Sequence, residues 1–538
     1  MKINPFVGVA LAVVSLTACS VEEGEDTNAK MKKEYTQAFV NEFGSINANQ
    51  DWNVVEQKSV TVKTATSSTV KVYEKQGGKY RLAADYAGVQ GSKTITFDGL
   101  EGDDTPFIVS INGCDLAVAN GQTIDCTKAV NGVKRSSKVP DDWSQYITYG
   151  STKDNVTLST DDDVASKLFT EGRDNSEIVD IDEPFKETLS PNEAATFYPM
   201  YWNSDYQGEY TIGIYYYDTD LVKHEVDMYT NDEDKVPYSE GSEFQSYPLT
   251  ITSPETIVCG VYVRIGENTY YSDPAMNVDK ASFFGYRTVG TTDPYTYLCF
   301  DAPGPDGVED DHDFNDLVFL LPGKTTPISS DPVSWMVACE DLGGTYDYDF
   351  NDVVFRVSHV AGHDYADIYP MAAGGSLPTY LFYNDIQISE DWHQHFGSDG
   401  YDYTKLVNTG HGGAKMEQEI WPIQITGLPE DWSMKSFTAE EDSKHGNIHI
   451  VVIRADKQTI SITGPSKGEA PQMLVLPYEW QWPTELTRIT TAYPNFGQWG
   501  ENYANSTWVN TVVSGKVMTL SEDDMKITKS PKVVDVSD

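Results

Sequence analysis

Basic residues are scarce in this chain. Lysine and arginine together number 38 against 83 aspartate and glutamate residues, which gives a formal net charge of −45 over 538 residues. A protein that binds a nucleic-acid backbone needs a basic surface to displace the counterions of the phosphates. The composition therefore excludes a nucleic-acid partner and favours cations.

Cysteine is also scarce, and its spacing excludes a thiolate zinc site. The chain has six cysteines and no Cys-x-x-Cys pair. Cys114 and Cys126 lie on either side of Asn120-Gly121, a pair typical of hairpin turns, so one interpretation is a disulfide between them. Cys299 and Cys339 lie in apolar runs and are predicted to be small buried side chains.

Long apolar runs are absent, so the sequence has no candidate for a membrane-spanning helix. A shorter apolar run at 7–14 follows Lys2 and precedes Leu-Thr-Ala-Cys, which ends at Cys19. This start resembles the signal peptide and lipobox of bacterial lipoproteins, which implies removal of residues 1–18 and lipidation of Cys19. The acidic stretch 22–26 resembles the surface-export signal of Bacteroidota lipoproteins, which implies an outer-membrane anchor facing the cell exterior.

Catalytic motifs are missing as well. There is no Gly-x-Ser-x-Gly, P-loop or dinucleotide-binding pattern. His445 and His449 have the spacing of a zinc-binding helix but lack the intervening glutamate. His393 and His395 would share one face of a strand, and we interpret them as exposed or structural. The sequence predicts that the protein is not an enzyme.

The pattern that is present is that of β-strands. Short runs rich in Tyr, Val, Ile and Thr are separated by turns that draw on 41 glycines and 26 prolines. Residues 31–43 differ, because Tyr35, Phe39 and Phe43 recur every four residues and Gly44 ends the run, which predicts a short helix. We predict a mainly β, multidomain protein of β-sandwich domains, with a small N-terminal β domain.

Domain boundaries are predicted from changes in composition and in the density of turn residues. The predicted parts are a signal peptide (1–18), an acidic tether with the short helix (19–53), a small β domain (54–135), a partly ordered polar linker (136–194), a β domain with an acidic motif (195–325), a second such domain (326–515) and a C-terminal tail (516–538).

One nine-residue pattern occurs twice, 36 positions apart. Residues 311–319 read Asp-His-Asp-Phe-Asn-Asp-Leu-Val-Phe, and residues 347–355 read Asp-Tyr-Asp-Phe-Asn-Asp-Val-Val-Phe. Cysteine begins a matching tripeptide before each copy, at Cys299 and Cys339. Aligning these tripeptides gives the first copy four additional loop residues.

Both copies concentrate oxygen-bearing side chains, since alternation in an extended chain would place the first two aspartates and the asparagine on one side. Such carboxylates repel one another unless a cation lies among them, and Ca²⁺ takes six to eight oxygen ligands in flexible geometry. A solvated acidic turn is the alternative. The predicted calcium ligands are Asp301, Asp311, Asp313, Asn315 and Asp316 in the first loop (301–316), and Glu340, Asp341, Asp347, Asp349, Asn351 and Asp352 in the second loop (340–352). We expect the second loop to bind more tightly, because it is shorter and has two acids at its start.

The motif and the segments around it resemble the LruC-domain family, and also a calcium-associated domain of unknown function in large repeat adhesins. The matching features are the acidic strand end, the Asp-x-Asp-Phe-Asn-Asp loop, the Gly-His-Gly-Gly at 410–413 and the aromatic stretches 477–483 and 492–496. They lie within about residues 195–515. The resemblance implies a β-sandwich with calcium at the acidic loop, and it implies no established activity.

Trp480 and Trp482 lie two residues apart and form a candidate platform for a sugar ligand, with burial in a core as the alternative. The expected role is binding or adhesion at the cell surface, with a glycan or a surface protein as partner. The alternatives are a hydrolase of surface polysaccharide, with this pair in a subsite, and a structural component of a surface layer or fimbria.

Overall fold

The computed structural model shows several separate sheets. It describes residues 21–127, 142–158, 164–170, 172–191, 193–201, 210–230, 243–290, 294–303, 311–323, 326–342, 346–396, 406–410, 419–437, 446–503, 506–518, 526–527 and 530–537. Strands hold 47% and helices 12% of the residues, so the predicted mainly β, multidomain sandwich architecture is confirmed.

The N-terminal domain is built on one long hairpin. Its strands are β1 (Val55–Gln76), β2 (Lys79–Leu100), β3 (Phe107–Ile111), β4 (Cys114–Val118) and β5 (Thr123–Asp125). Alternate residues such as Val60, Val62 and Ile95 form its core. The strand β5 pairs in parallel with β1 rather than returning along β4. Cys114 and Cys126 are consequently not joined, and the disulfide interpretation is wrong.

The N-terminal helix is longer than predicted. The helix α1 spans Val21–Phe43 and takes in the acidic stretch 22–26 that the sequence assigns to a tether. Glutamate is a good helix former, and acidic residues near a helix N-terminus are favoured by its dipole. Tyr35 and Phe39 of this helix are buried in the core of the C-terminal domain. Residues N-terminal to the first β domain therefore complete the last one.

The described part of the middle domain contains two large sheets, a two-stranded sheet of β7 and β12, and a short α-helix. Its elements are β6 (Ile147–Tyr149), β7 (Asp154–Thr157), α2 (Val164–Leu168), β8 (Lys186–Leu189), β9 (Ala195–Tyr201), β10 (Tyr210–Tyr217), β11 (Lys223–Thr230), β12 (Glu243–Ser246), β13 (Leu249–Ile251), β14 (Ile257–Ile265), β15 (Asn268–Tyr271), β16 (Phe284–Val289), β17 (Tyr295–Phe300) and β18 (Leu317–Pro322).

The C-terminal domain follows a connecting strand, β19 (Ile328–Pro332), which pairs with β2 of the N-terminal domain. Its elements are β20 (Ser334–Cys339), β21 (Val353–His359), β22 (Tyr365–Ala372), β23 (Thr379–Tyr383), β24 (Ile386–Gln387), β25 (Glu419–Ile420), β26 (Ile423–Thr426), β27 (Ile448–Ile453), β28 (Thr459–Ile462), β29 (Met473–Pro477), α3 (Ile489–Ala492), α4 (Phe496–Glu501), β30 (Lys526–Ile527) and β31 (Lys532–Asp535).

The middle and C-terminal domains are built on the same plan. The order β16-β17-β18-β9-β13-β6 in one sheet corresponds to β29-β20-β21-β22-β26-β31 in the other. The opposing sheets, β11-β10-β14-β15 and β24-β23-β27-β28, correspond in the same way. Only the edge strands differ in direction, since β6 pairs antiparallel and β31 pairs parallel. The chain therefore contains one sandwich twice.

The register repeats in detail. The ladder of β18 with β9 has an irregularity between Val318 and Phe319, and the ladder of β21 with β22 has one at the same motif position. Both partner strands carry Tyr-Pro-Met, at 198–200 and 369–371, with the proline opposite the last phenylalanine of the motif. A proline has no N–H for the ladder, so it fits at such an irregularity.

The two domains differ in where the acidic hairpin enters the chain. The β17/β18 hairpin is the last part of the middle domain, whereas β20/β21 is the first part of the C-terminal domain. The two loops are thus neighbours in sequence although they belong to different sandwiches.

Residues that the sequence assigns to linker and tail contribute strands. Within 136–194 lie β6, β7, β8 and α2, and within 516–538 lies β31, which pairs with β26. These strands have three or four residues each, which is too short for a period-two pattern to stand out from a polar background.

Candidate functional site

Each acidic loop connects two paired strands, and their pairing aligns the copies. Phe300 pairs with Leu317 in the first hairpin, and Cys339 pairs with Val353 in the second. Leu317 and Val353 hold the same position of the motif, so Phe300 corresponds to Cys339. It follows that Asp301 corresponds to Glu340.

Hydrogen bonds confirm this alignment. The backbone N–H of Phe314 donates to Oδ1 of Asp301 at 3.3 Å, and that of Phe350 donates to Oε1 of Glu340 at 2.8 Å. The predicted alignment of the cysteines is therefore wrong by one residue, and the first loop is three residues longer rather than four. Both cysteines are buried as predicted, but a shift of one residue in a strand places them on opposite faces.

The loops share an unusual backbone. The residues that alternate with Asp and Asn are left-handed in both: φ is 55° at His312, 53° at Phe314, 56° at Tyr348 and 52° at Phe350. The sequence predicts extended chain here. Left-handed backbone costs a non-glycine residue roughly 1–2 kcal/mol, so surrounding contacts must hold each loop in shape.

The last aspartate of each motif closes its loop. Oδ2 of Asp316 accepts a hydrogen bond from the N–H of Ala302 at 2.6 Å, and Oδ2 of Asp352 accepts one from the N–H of Asp341 at 2.7 Å. These bonds join the end of the loop to its beginning. The two carboxylates therefore stiffen the loop, whatever else they bind.

A third segment supports each loop from a distant part of the chain. The side-chain amide of Asn315 donates to the carbonyl of Leu168 at 3.0 Å, and that of Asn351 donates to the carbonyl of Pro483 at 3.1 Å. We call residues 168–170 with 172–175 the first support segment, and residues 483–489 the second support segment. The asparagines therefore anchor these segments through their amide nitrogens.

The support segments also contact the second aspartate of each motif. The N–H of Gly172 donates to Oδ2 of Asp313 at 3.2 Å, and the N–H of Leu486 donates to Oδ2 of Asp349 at 2.9 Å. Gly172 and Leu486 are both left-handed, with φ of 66° and 58°. Sequence reasoning missed these segments because backbone donors leave no side-chain signature.

Three carboxylates converge in each loop. Oxygens of Asp301, Asp313 and Asp316 lie within 4.8 Å of one another, and so do oxygens of Glu340, Asp347 and Asp349. Ligands of Ca²⁺ lie about 2.3–2.6 Å from the ion, so oxygens at these separations can share one centre. The donor set is all oxygen, which fits calcium and does not favour zinc.

Other predicted ligands lie outside these two groups. They are Asp311 in the first loop, and Asp341 and Asp352 in the second. The side-chain oxygens of Asn315 and Asn351 are buried and accept no hydrogen bond from the described residues, so both stay candidate ligands. The aligned acids Asp311 and Asp347 thus differ, since only Asp347 joins a group. The imidazole of His312 lies near the first group, with Nδ1 3.6 Å from Oδ2 of Asp301.

Burial and mutual repulsion oppose negative charge in the second loop. Burial first, then Asp349 and Asp347, raise the pKa of Glu340 well above its usual value. Burial, with Asp347 and Glu485, raises the pKa of Asp349 to about 8. These raised pKa values mean that the acids keep their protons more readily than usual, and a bound cation would favour their charged forms instead.

Glu485 is a further acid that sequence reasoning missed. It belongs to the second support segment, and burial, with Asp347 and Asp341 adding to it, raises its pKa to about 7. Its position 130 residues beyond the motif left no sequence signal. Together with Glu340, Asp347 and Asp349, it makes the surroundings of the second loop more acidic than those of the first.

The tryptophan platform is wrong. Trp480 and Trp482 are 4% and 2% exposed. The ring of Trp480 stacks on Tyr493 with centroids 6.0 Å apart, and Nε1 of Trp482 donates to the carbonyl of Asn408 at 2.8 Å. The domain core needs large apolar side chains, and these two supply them.

The histidine pairs do not form metal groups among the described residues. His393 and His395 lie on a 3₁₀ helix, Trp392–His395, rather than on a strand, and both are buried. His449 lies on β27, whereas His445 and the lipidation site Cys19 lie outside the described residues. No described helix is both long enough and apolar enough to span a membrane.

Comparisons with known proteins add little. No protein-family model matches the chain, and no curated protein matches it significantly. A crystal structure of a candidate lipoprotein from Bacteroides ovatus shares 13% identity, with a TM-score of 0.20 over 45% of this chain and 97% of that one. This similarity is too weak to assign a fold or a function, so the LruC resemblance stays a prediction.

Proposed function

We propose that the protein is a surface lipoprotein of the LruC-domain type that binds a glycan or a surface protein and is stabilised by calcium at both acidic loops. The anchor would be the lipid on Cys19, in the outer membrane and facing outward. The observation that supports calcium most directly is one construction that occurs twice. It consists of three carboxylates, two buried and one half-buried, in a loop with the same left-handed backbone and the same kind of support segment.

Calcium would join three parts of the chain in each domain. In the second loop Glu340 ends a strand, Asp347 and Asp349 lie in the loop, and Asp349 also accepts from the second support segment. A cation held by these oxygens would offset their repulsion and fix the strand end, loop and support together. The role is structural, and no step of a reaction is assigned to the ion.

The second loop is the better candidate for tight binding. Glu340 and Asp349 are 2% and 1% exposed, and Glu485 adds a fourth nearby acid. In the first loop the corresponding surroundings contain His312, whose side chain is 58% exposed. The corresponding acids Asp301 and Asp313 are equally buried, so the difference lies in charge, and a more acidic site holds Ca²⁺ more strongly.

The calcium proposal predicts that calcium stabilises the protein, and that each group of three acids stabilises its own domain. At free calcium about 1,000 times the dissociation constant, a site stabilises its domain by roughly 4 kcal/mol. We expect calcium to raise the Tm relative to chelator by roughly 10 °C. Asp349→Asn should remove the gain of the C-terminal domain, and Asp313→Asn that of the middle domain, as followed by calorimetry.

Glu267→Gln is the matched control, since Glu267 is an exposed acid at the β14/β15 turn. It should leave the calcium response unchanged. An identical Tm in calcium and chelator, together with no calcium in elemental analysis, would contradict the proposal.

The binding role and the absence of catalysis are tested on the full chain. We expect retention on a glycan array or on intact cells without turnover of polysaccharide. Release of sugar that is abolished by one carboxylate substitution would replace this function with that of a hydrolase. The burial of Trp480 and Trp482 removes the one feature that the sequence offered for a hydrolase subsite.

A further inference from the structure

The N-terminal helix α1 covers the second loop. Tyr348 lies between the loop aspartates Asp347 and Asp349 and is 3% exposed. Its ring contacts three aromatic rings of α1, with centroid distances of 5.4, 5.7 and 5.0 Å to Tyr35, Phe39 and Phe43. The four-residue spacing that predicts the helix is thus the spacing of its contacts with the acidic loop.

The same helix contacts the support of that loop. Glu42 forms an ion pair with Arg488, which lies in the second support segment. Phe39 packs edge-on against Phe496 of α4 at 6.3 Å, and the hydroxyl of Tyr35 donates to the carbonyl of Pro471 at 2.7 Å. The helix therefore rests on both the loop and the support segment that the triad of acids brings together.

The first loop supplies an internal comparison. His312 holds the position of Tyr348, with nearly the same φ, but its side chain is 58% exposed. The two loops thus share a backbone and differ in what covers them. Any effect that passes from the acids through Tyr348 to α1 is specific to the second loop.

We propose that docking of α1 depends on a divalent cation in the second loop, an inference that rests on the calcium site proposed above. Without the cation, Glu340, Asp347 and Asp349 lose the ion that would hold the strand end and the loop together, so the loop moves and Tyr348 moves with it. The aromatic face of α1 then loses its three ring contacts with Tyr348. Because most of the stability of a helix in a protein comes from packing of its apolar face, release also loosens the helix.

This coupling would set the reach of the protein from its anchor. The helix has 23 residues and spans about 35 Å when helical. The same residues span up to roughly 75 Å when extended. Because α1 follows the proposed lipidation site, calcium would hold the domains near the membrane, and its loss would lengthen the tether.

Hydrogen exchange of the full chain in detergent tests the coupling, with peptides that cover 21–43 followed in calcium and in chelator. We expect exchange of these amides to accelerate at least tenfold in chelator. Asp349→Asn should show the fast exchange even in calcium. Asp313→Asn, the matched change in the first loop, should keep the calcium dependence of α1.

A second pair of variants tests the path through the aromatic contact. Tyr348→Ala should release α1 in calcium, and His312→Ala, at the equivalent position, should not. Phe43 is half-buried at the C-terminal end of α1, so we expect Phe43→Ala to leave the domain folded. Coupling between two sites is reciprocal. We therefore expect Phe43→Ala to weaken calcium binding at the second loop by about fivefold or more and to leave calcium binding at the first loop unchanged.

The outcomes separate the two proposals. Calcium binding with a raised Tm, but with α1 exchange equal in calcium and chelator, would overturn the coupling and leave the calcium sites intact. Absence of calcium binding would overturn both. Release of α1 by Asp313→Asn as well as by Asp349→Asn would show general destabilisation and would also overturn the coupling.

Discussion

Four residues with left-handed backbone set the shape of the two loops: His312, Phe314, Tyr348 and Phe350. Their side chains have different roles. The two phenylalanines are 1% and 0% exposed and anchor the loops in the domain cores. The side chain of His312 is exposed, and the ring of Tyr348 packs against α1. Burial of a phenylalanine contributes roughly 1.5–3 kcal/mol, which is enough to offset the cost of its left-handed backbone.

His359 predicts a pH dependence at the scale of one residue. It is buried edge-on against Trp432, with ring centroids 4.7 Å apart, and burial lowers its pKa to about 4. The unfolded chain binds this proton near pH 6.5, so the folded protein loses stability as the pH falls from about 6.5 to about 4. The full loss is roughly 3 kcal/mol.

The measurement is the free energy of unfolding against pH for wild type and His359→Phe, which keeps an aromatic ring and cannot ionise. The acids of the second loop titrate alike in both proteins, so the difference between the curves isolates His359. Parallel curves between pH 7 and pH 4 would contradict the prediction.

At the scale of elements, each hairpin and its support segment form the same arrangement. Each hairpin contributes three carboxylates. In each support segment, the N–H of a residue with left-handed backbone donates to the second aspartate of the motif. The order along the chain is reversed, since the first support precedes its hairpin and the second follows it. The arrangement therefore depends on which segments meet in space and not on their order along the chain.

Substitution of the left-handed residue in each support segment tests whether the two segments are equivalent. Leu486 is 65% exposed and left-handed, so Leu486→Gly should change stability by less than about 1 kcal/mol, because relief of strain offsets added chain entropy. Gly172→Leu should destabilise by roughly 1–2 kcal/mol. Chemical denaturation measures both, and an equal loss in the two variants would refute the correspondence.

At the scale of the molecule, a buried ion cluster joins the N-terminal and middle domains. Nζ of Lys186 on β8 lies 2.5 Å from Oδ2 of Asp115 on β4 and 2.8 Å from Oδ2 of Asp273. Lys186 is 9% exposed. We expect charges so buried and so well paired to favour one relative orientation of the two domains.

Lys186→Met should loosen that interface, because it leaves two buried carboxylates without their cation. The expected loss is roughly 3–5 kcal/mol, seen as separate unfolding of the N-terminal domain by calorimetry. Lys223→Met removes a half-exposed partner of Glu225 and should cost less than about 1 kcal/mol. Equal effects of the two substitutions would show that the cluster does not join the domains.

The sequence by itself determined the mainly β class, the duplicated acidic motif, the apolar face of α1 and the burial of the two repeat cysteines, because side-chain identity and periodicity record these directly. Tertiary structure alone decided that Asp301 corresponds to Glu340, that Glu485 and the support segments complete the surroundings, and that Trp480 and Trp482 are core. Strand register, backbone hydrogen bonds and contacts between distant segments decide such features, and none of these leaves a local pattern in the chain. The motif marks where the acids lie, but the fold determines which of them meet.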